Sequence, residues 1–122
     1  MTKLILIVED EPILQEMYQQ RFEQAGFKVI TANDGEEGLE QTRKLKPDLI
    51  LLDILMPKKN GLDLLKNIRQ ESEIAQTKVV AFSNFDDQKS KDAATELGVV
   101  EYLIKTNYTP TEVVEEIKKQ LA

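Results

Sequence analysis

The sequence predicts an α/β fold built around a doubly wound, five-stranded parallel sheet. Four short apolar runs support this prediction, because runs of Leu, Ile and Val are typical of strands buried on both faces. The runs alternate with amphipathic segments of helical spacing. Each run also ends directly at a charged or hydroxylated residue, in the segments over residues 4–10, 49–53, 79–83 and 100–105.

The first run leads into a predicted helix over residues 12–25, whose apolar side chains recur at helical spacing. Pro12 suits the first turn of this helix and Gly26 suits its end. A second strand is predicted over residues 28–32. Strand, helix and strand in this order are typical of a parallel sheet.

The second helix is predicted to begin at the Asn33-Asp34-Gly35 turn. Asp34 is expected to cap it, with Glu37 forming a capping-box-like pair. The helix carries Leu39 and Leu45 as apolar residues and ends before Pro47.

The strand ending at Asp53 is followed by a loop over residues 56–61 and by a third helix. The apolar face of this helix comprises Leu62, Leu65 and Ile68. After the strand ending at Ser83, the fourth predicted helix, over residues 87–97, is mostly polar. Its apolar side comprises Ala93, Ala94 and Leu97, so we expect it to be held loosely enough to shift.

The last predicted strand ends at Lys105. The segment Thr109-Pro110-Thr111-Glu112 is a strong start signal for a fifth helix, because it combines a capping residue, a first-turn proline and an acidic partner. The apolar face of that helix comprises Val113, Val114, Ile117 and Leu121.

Composition limits the classes of function. At 122 residues we expect a single domain, residues 1–122, with no effector domain. The absence of cysteine excludes disulfides and thiolate metal sites, and the absence of histidine excludes histidine catalysis and a phosphohistidine on this chain. A net charge of −6 argues against nucleic-acid binding by this chain alone. No apolar stretch approaches the roughly 20 residues of a membrane span, and a cytoplasmic location is expected.

The residues at the strand ends predict a phosphoryl-transfer site. Ligands of open α/β sheets bind beyond the carboxyl ends of the strands, where the predicted fold gathers Glu9, Asp10, Asp53, Ser83 and Lys105. Three carboxylates favour a hard cation, either Mg²⁺ or Mn²⁺ as a substitute. A carboxylate can also act as a nucleophile toward phosphorus, while a lysine and a hydroxyl complement the phosphoryl oxygens.

The ordered set of residues resembles the receiver domains of two-component response regulators, which have a (βα)5 flavodoxin-like fold. The resemblance runs from Lys3 to the C-terminus. It is carried by the acidic pair and Asp53 at the strand ends, the Met56-Pro57…Gly61 loop, and the residues Ser83, Tyr102 and Lys105.

The resemblance implies a role for each of these residues. Asp53 would be the phosphoacceptor, Lys105 would pair with a phosphoryl oxygen, and Ser83 would move to bond another. Tyr102 would change rotamer to follow Ser83. Asp10 and Asp53 would ligate Mg²⁺ together with the backbone carbonyl of Leu55, and Glu9 would act mostly through a metal-bound water.

The resemblance also implies partners. A sensor histidine kinase or a histidine phosphotransfer protein would supply the phosphoryl group. The fourth helix, fifth strand and fifth helix would form the output surface, through which the protein would act as a monomer or a weak dimer. The downstream target is left open, as is the question whether the chain is a stand-alone regulator.

Three departures from the family pattern affect the expected chemistry. Thr106 stands where the family usually has a proline after a cis peptide bond, and a cis bond before any other residue costs about 3 kcal/mol. Asn84 is larger than the usual small residue and is expected to crowd the entrance. Leu55 and Phe85 are apolar where many relatives are polar, so neither can hold a hydrolytic water. We expect a long-lived phosphoryl group.

Three other classes of function remain open. A flavodoxin-type cofactor binder shares the architecture but needs a phosphate loop where this chain has Glu9-Asp10-Glu11-Pro12. A hydrolase of the haloacid-dehalogenase class usually has a second aspartate where this chain has Leu55. A pseudo-receiver that binds proteins without phosphorylation is the third alternative, and failure to take phosphate from any donor would favour it.

Overall fold

The computed structural model of the chain describes residues 2–54, 60–84 and 86–122. Five parallel strands form one sheet in the order β2-β1-β3-β4-β5. The strands are β1 (Leu4–Val8), β2 (Lys28–Ala32), β3 (Leu49–Asp53), β4 (Lys78–Ser83) and β5 (Glu101–Ile104). The helices are α1 (Pro12–Gln24), α2 (Gly35–Leu45), α3 (Gly61–Gln70), α4 (Gln88–Glu96) and α5 (Pro110–Leu121), with a 3-10 turn at Lys105–Asn107. The predicted α/β architecture is therefore confirmed.

The helices cover both faces of the sheet, as a doubly wound fold requires. One hydrophobic core packs the sheet against α2, α3 and α4, through residues such as Leu39, Leu65 and Ala94. A second core packs the opposite face against α1 and α5, through residues such as Phe22 and Val113. Within the described ranges, no helix has the length and apolar character needed to cross a bilayer.

The two-residue repeat of the strands decides which side chains reach which face. Ile7 on β1, Leu51 on β3 and Leu103 on β5 belong to the α1–α5 core. Because alternate side chains of a strand point to the same face, the repeat continues from these three residues to Glu9, Asp53 and Lys105, respectively. On β4, Val79 and Ala81 belong to the other core, and the repeat continues from them to Ser83. The carboxyl edge of the sheet thus presents different residues to its two sides.

Asp34 and Thr109 cap α2 and α5, as predicted. The Asp34 carboxylate accepts a hydrogen bond from the Glu37 amide at 2.9 Å, and the Glu37 carboxylate accepts one from the Asn33 side chain at 3.2 Å. At α5, Thr109 and Glu112 form a reciprocal capping box. The bonds from the Glu37 and Glu112 amides satisfy donors that have no partner within a helix.

The structure corrects two apolar assignments and one strand end. Leu45, predicted on the apolar side of α2, is 41% exposed, because it is the last residue of the helix and Lys46 follows in a left-handed conformation. Val100, predicted to begin the last strand, precedes β5 and is 42% exposed. Lys105 is the first residue of a 3-10 turn, and β5 ends one residue earlier at Ile104.

Hydrogen bonds from the Arg69 side chain join the C-terminal end of helix α4 to helix α3. Its buried contribution to the core is Ala94, which agrees with the thin apolar side predicted from the sequence. The guanidinium of Arg69 on α3 donates to the carbonyls of Leu97 at 2.7 Å and Gly98 at 3.2 Å, just beyond α4. It also donates to the carbonyls of Ala75 and Thr77. Burial lowers the pKa of Arg69, and these four carbonyls compensate the buried charge. The C-terminal end of α4 is thereby fixed to α3.

Gly61 generates a prediction about the backbone that carries Asp53. The Gly61 amide donates to the Ile54 carbonyl at 2.9 Å, and a β-carbon at Gly61 would lie 2.6 Å from both the Asp53 carbonyl oxygen and the Ile54 α-carbon. Since both are backbone atoms, they cannot rotate away. We expect Gly61→Ala to lower the free energy of unfolding by about 1–3 kcal/mol, as overpacking does, measured by urea denaturation.

A matched control for this substitution lies on the same helix. Lys66 is exposed on α3, so Lys66→Ala should change the free energy of unfolding by no more than about 0.5 kcal/mol. A Gly61→Ala protein that unfolds at the same urea concentration as the parent would contradict the close approach of α3 to the end of β3.

Candidate functional site

Three carboxylates meet at the carboxyl edge of the sheet. Glu9 directly follows β1 and Asp53 ends the adjacent strand β3. One carboxylate oxygen from each of Glu9, Asp10 and Asp53 lies within 4.8 Å of the others. Glu9 and Asp53 are 3% and 5% exposed, and Asp10 is the most exposed of the three. Like charges this close repel one another strongly when they are buried, so a cation or a proton at the cluster would relieve the repulsion.

Lys105 supplies a positive charge to this cluster. Its Nζ lies 2.8 Å from Glu9 Oε1 and 3.1 Å from Asp53 Oδ2. The Lys105 side chain is 12% exposed, so both contacts are largely shielded from water. The peptide bond between Lys105 and Thr106 is trans. Lys105 therefore reaches the acidic cluster from the 3-10 turn with an ordinary backbone.

The cluster is electrostatically unbalanced at neutral pH. Burial raises the pKa of Glu9 from 4.5 to about 7; the hydrogen bond from Lys105 opposes this shift and the charge of Asp53 adds to it. Burial alone would lower the pKa of Lys105, but the bond to Glu9 and the charges of both carboxylates raise it above its usual value. Near neutral pH, the Glu9 carboxylate can either hold a proton or take part in binding a metal ion.

The donor set of the cluster fits a magnesium ion. Its ligand atoms are carboxylate oxygens, and the chain has no histidine or cysteine to offer nitrogen or sulfur. Hard oxygen donors are typical of Mg²⁺ sites, which also keep waters and phosphate oxygens as ligands. Leu55, predicted to add its backbone carbonyl, lies outside the described residues.

Ser83 and Tyr102 lie on neighbouring strands at the same edge. Ser83 ends β4 and is fully buried. Tyr102 lies on β5 in register with Ala81 and is partly buried against the α2–α4 side of the sheet. Asn84 is exposed directly after Ser83. Phe85, predicted to affect the lifetime of the phosphoryl group, lies outside the described residues.

Gln15 is a residue of the site that sequence reasoning missed. Its side-chain amide donates to the Glu9 carbonyl at 2.9 Å, to the Ala32 carbonyl at 3.2 Å and to Asn33 Oδ1 at 3.0 Å. These bonds join the chain after β1 to the chain after β2, and so fix the backbone of the acidic pair. A single polar residue on α1 gave no signal that would distinguish it from an exposed glutamine.

An aromatic pair beneath Lys105 was also missed. The Lys105 ammonium lies over the Phe82 ring, 5.3 Å from its centroid, and the Tyr18 ring meets Phe82 edge-on at 5.3 Å. The sequence placed Phe82 only within an apolar strand. The strand alternation that separates Phe82 from Ser83 was the available signal, because it directs Phe82 to the face of the sheet that carries Lys105.

Comparison with known proteins identifies relatives over most of the chain. The family model described as "Response regulator receiver domain" matches residues 5–118. The alkaline phosphatase synthesis transcriptional regulatory protein PhoP of Bacillus subtilis is 36% identical over 118 residues, which are 97% of this chain and 48% of the relative. The transcriptional regulatory protein CpxR of Escherichia coli is 40% identical over 101 residues, which are 83% of this chain and 42% of the relative. The chain thus spans about half the length of these curated relatives.

Solved structures agree with these matches. A CheY-like receiver domain protein from Methanospirillum hungatei has a TM-score of 0.91 at 26% identity, and the match covers 99% of this chain and 94% of that chain. Chemotaxis protein CheY4 of Vibrio cholerae has a TM-score of 0.90 at 24% identity over 98% of both chains, a likeness of fold alone. The family match over most of the chain, together with the parallel sheet, shows that this protein belongs to the response regulator receiver domains of two-component signalling.

Proposed function

We propose that Asp53 accepts a phosphoryl group from a sensor histidine kinase or a histidine phosphotransfer protein in a Mg²⁺-dependent reaction. The observation that carries this proposal is the meeting of three carboxylates and one ammonium around Asp53. Residues 1–122 would act as one receiver domain and as a signalling protein, catalysing only its own phosphorylation and dephosphorylation. Family membership supports a cytoplasmic location.

The transfer step uses an oxygen of Asp53 as the nucleophile. The bond between this oxygen and phosphorus forms while the bond between phosphorus and the donor imidazole nitrogen breaks, and the imidazole leaves with the electron pair. Asp10, Asp53 and the Leu55 carbonyl would hold Mg²⁺ directly, with Glu9 acting through water. The bound ion would offset charge on the phosphoryl oxygens.

Lys105 has two successive partners in this proposal. Its ammonium bonds Glu9 and Asp53 in the structure, and it would bond a phosphoryl oxygen once Asp53 is modified. A charge-assisted hydrogen bond of this kind stabilises the transferred group without moving a proton. The partial burial of Lys105 strengthens that interaction, because water screens it weakly.

Ser83 and Tyr102 would convert the modification into a change of surface. Ser83 would hydrogen-bond a phosphoryl oxygen and Tyr102 would turn inward after it, which would alter the surface of α4, β5 and α5. Their places on adjacent strands support this coupling. That surface would bind the downstream target or a second copy of the chain in a weak dimer. No direct binding of nucleic acid by this chain, and no membrane contact, is proposed.

Replacing the acceptor tests the proposal. Incubation with acetyl phosphate and Mg²⁺ should add one phosphoryl unit to the intact mass of the parent, and omission of the divalent ion should prevent it. Asp53→Asn should abolish the gain, because an amide cannot act as this nucleophile. Asp63→Asn, which changes an exposed aspartate on α3, should leave it intact. Modification that persists in Asp53→Asn would place the acceptor elsewhere, and no modification of the parent by any donor would favour the pseudo-receiver.

The raised pKa of Glu9 predicts how stability depends on pH without metal. Between pH 4.5 and about 7 the folded protein holds a proton on Glu9 that the unfolded chain has released. The free energy of unfolding should therefore fall as pH rises through this interval, with a Glu9 contribution on the order of 1–2 kcal/mol between pH 5.5 and 7.5. Urea denaturation in EDTA at both pH values measures it.

Two variants isolate the contribution of Glu9. Glu9→Gln should reduce the difference in stability between the two pH values, whereas Glu23→Gln, an exposed change on α1, should preserve it. Added Mg²⁺ should stabilise the parent more at pH 7.5 than at pH 5.5, because protons and the metal ion compete for Glu9. An equal pH dependence in Glu9→Gln and the parent would contradict this assignment.

The lifetime of the phosphoryl group tests the expected effect of Leu55 and Phe85. Apolar side chains at both positions cannot hold an attacking water, and Asn84, which precedes Phe85 in the sequence, is expected to add bulk. We expect the double variant Leu55→Asn, Phe85→Glu to lose phosphate faster than the parent under saturating Mg²⁺, measured by loss of the phosphorylated mass with time. Equal rates would mean that these two side chains do not set the lifetime.

A further inference from the structure

The ammonium of Lys105 has an aromatic neighbour in addition to two acidic ones. Its Nζ bonds Glu9 and Asp53 and lies over the Phe82 ring, 5.3 Å from the centroid. The face of an aromatic ring attracts a cation at this distance, and more strongly where water is excluded. Because the Lys105 side chain is 12% exposed, its contact with the Phe82 ring is largely shielded from water.

The sheet and helix α1 fix the position of the Phe82 ring. Phe82 on β4 is in register with Asp53 on β3 and with Leu103 on β5, two residues before Lys105. The ring is buried, and Tyr18 from α1 packs edge-on against it at an interplanar angle of 85°. Edge-to-face packing is a favourable aromatic geometry. The ring therefore cannot turn away from Lys105 unless α1 repacks.

The acidic and aromatic contacts of Lys105 respond differently to a divalent cation. A cation held by Glu9, Asp10 and Asp53 would offset the negative charge that attracts Lys105, and would itself repel the ammonium. The attraction of the Phe82 ring does not depend on those carboxylates. The aromatic contact would therefore persist under the conditions in which Asp53 is expected to react.

We propose that Phe82, supported by Tyr18, is a positioning residue that keeps the Lys105 ammonium at the acidic cluster when a divalent cation occupies it. Phe82 acts through Lys105 and takes no chemical part in the transfer. The consequence for phosphoryl transfer rests on the proposed function, whereas the placement of Lys105 can be measured without it.

The test weakens the attraction between the Phe82 ring and the Lys105 ammonium in steps while keeping the shape of the ring. Phenylalanine analogues with one, two and three ring fluorines are placed at position 82, because each fluorine weakens the negative ring face. A small acylating reagent then modifies lysines in saturating Mg²⁺, and mass spectrometry measures the rate at Lys105 relative to exposed Lys66. We expect the Lys105 rate to rise with each fluorine, and to rise about three- to tenfold in Phe82→Leu.

Phe22→Leu is the matched control. Phe22 is a fully buried phenylalanine of the same core that packs against Tyr18 and Phe27. Its replacement should lower the free energy of unfolding but raise the Lys105 labelling rate much less than Phe82→Leu does, because Phe22 is connected to Phe82 through Tyr18. Equal Lys105 rates across the fluorinated series would overturn the proposal, and so would a rise in Phe22→Leu as large as that in Phe82→Leu.

Phosphorylation supplies a second readout. At saturating Mg²⁺ and acetyl phosphate, Phe82→Leu should be phosphorylated about three- to tenfold more slowly than the parent and Phe22→Leu. An unchanged rate would overturn the catalytic consequence. If the parent itself takes no phosphate, the proposed function fails, while the labelling series still decides whether Phe82 positions Lys105.

Discussion

Glu9 and Asp53 place two carboxylates side by side where an apolar sheet ends, and the ammonium of Lys105 lies within hydrogen-bonding distance of both. Burial of one charge costs several kcal/mol unless an opposite charge compensates it. The surrounding structure is organised around this requirement. Gln15 fixes the backbone that carries Glu9, Gly61 permits α3 to approach the end of β3, and Phe82 lies beneath the ammonium.

The parallel sheet makes this arrangement possible because it brings distant segments to one edge. Lys105 is separated from Glu9 by 96 residues and from Asp53 by 52, yet all three follow or end strands of the same direction. Because alternate side chains of a strand point to opposite faces of the sheet, the residues at this edge have different surroundings. Lys105 and Phe82 belong to the α1–α5 side, and Ser83 and Tyr102 to the α2–α4 side. A one-residue slip of β4 would exchange Phe82 and Ser83 between these sides.

Much of the fold was predictable because it depends on local patterns. Apolar runs located the strands, and the capping residues Asp34 and Thr109 located helix starts within one residue. The gathering of Glu9, Asp53 and Lys105 followed from strand direction alone. The contacts of Gln15 and Arg69 were not predictable, because each joins separate elements through side-chain geometry that has no sequence period. The exposure of Leu45 was not predicted, because helical spacing does not show where a helix extends beyond the core against which it packs.

The hydrogen bonds of Arg69 fix the C-terminal end of α4, so that any tilt of the helix would pivot about that end. The helix has nine residues, so its axis is about 13 Å long. The carbonyls of Leu97 and Gly98 accept hydrogen bonds from the Arg69 guanidinium at the C-terminal end, whereas the first turn of α4 is held by the exposed cap of Asp87 and an exposed ion pair between Lys91 and Asp86. A tilt of about 10° about this fixed end would leave Leu97 in place and move the first turn by about 2 Å. Motion at the end of β4 would therefore displace the beginning of α4 most and its end least.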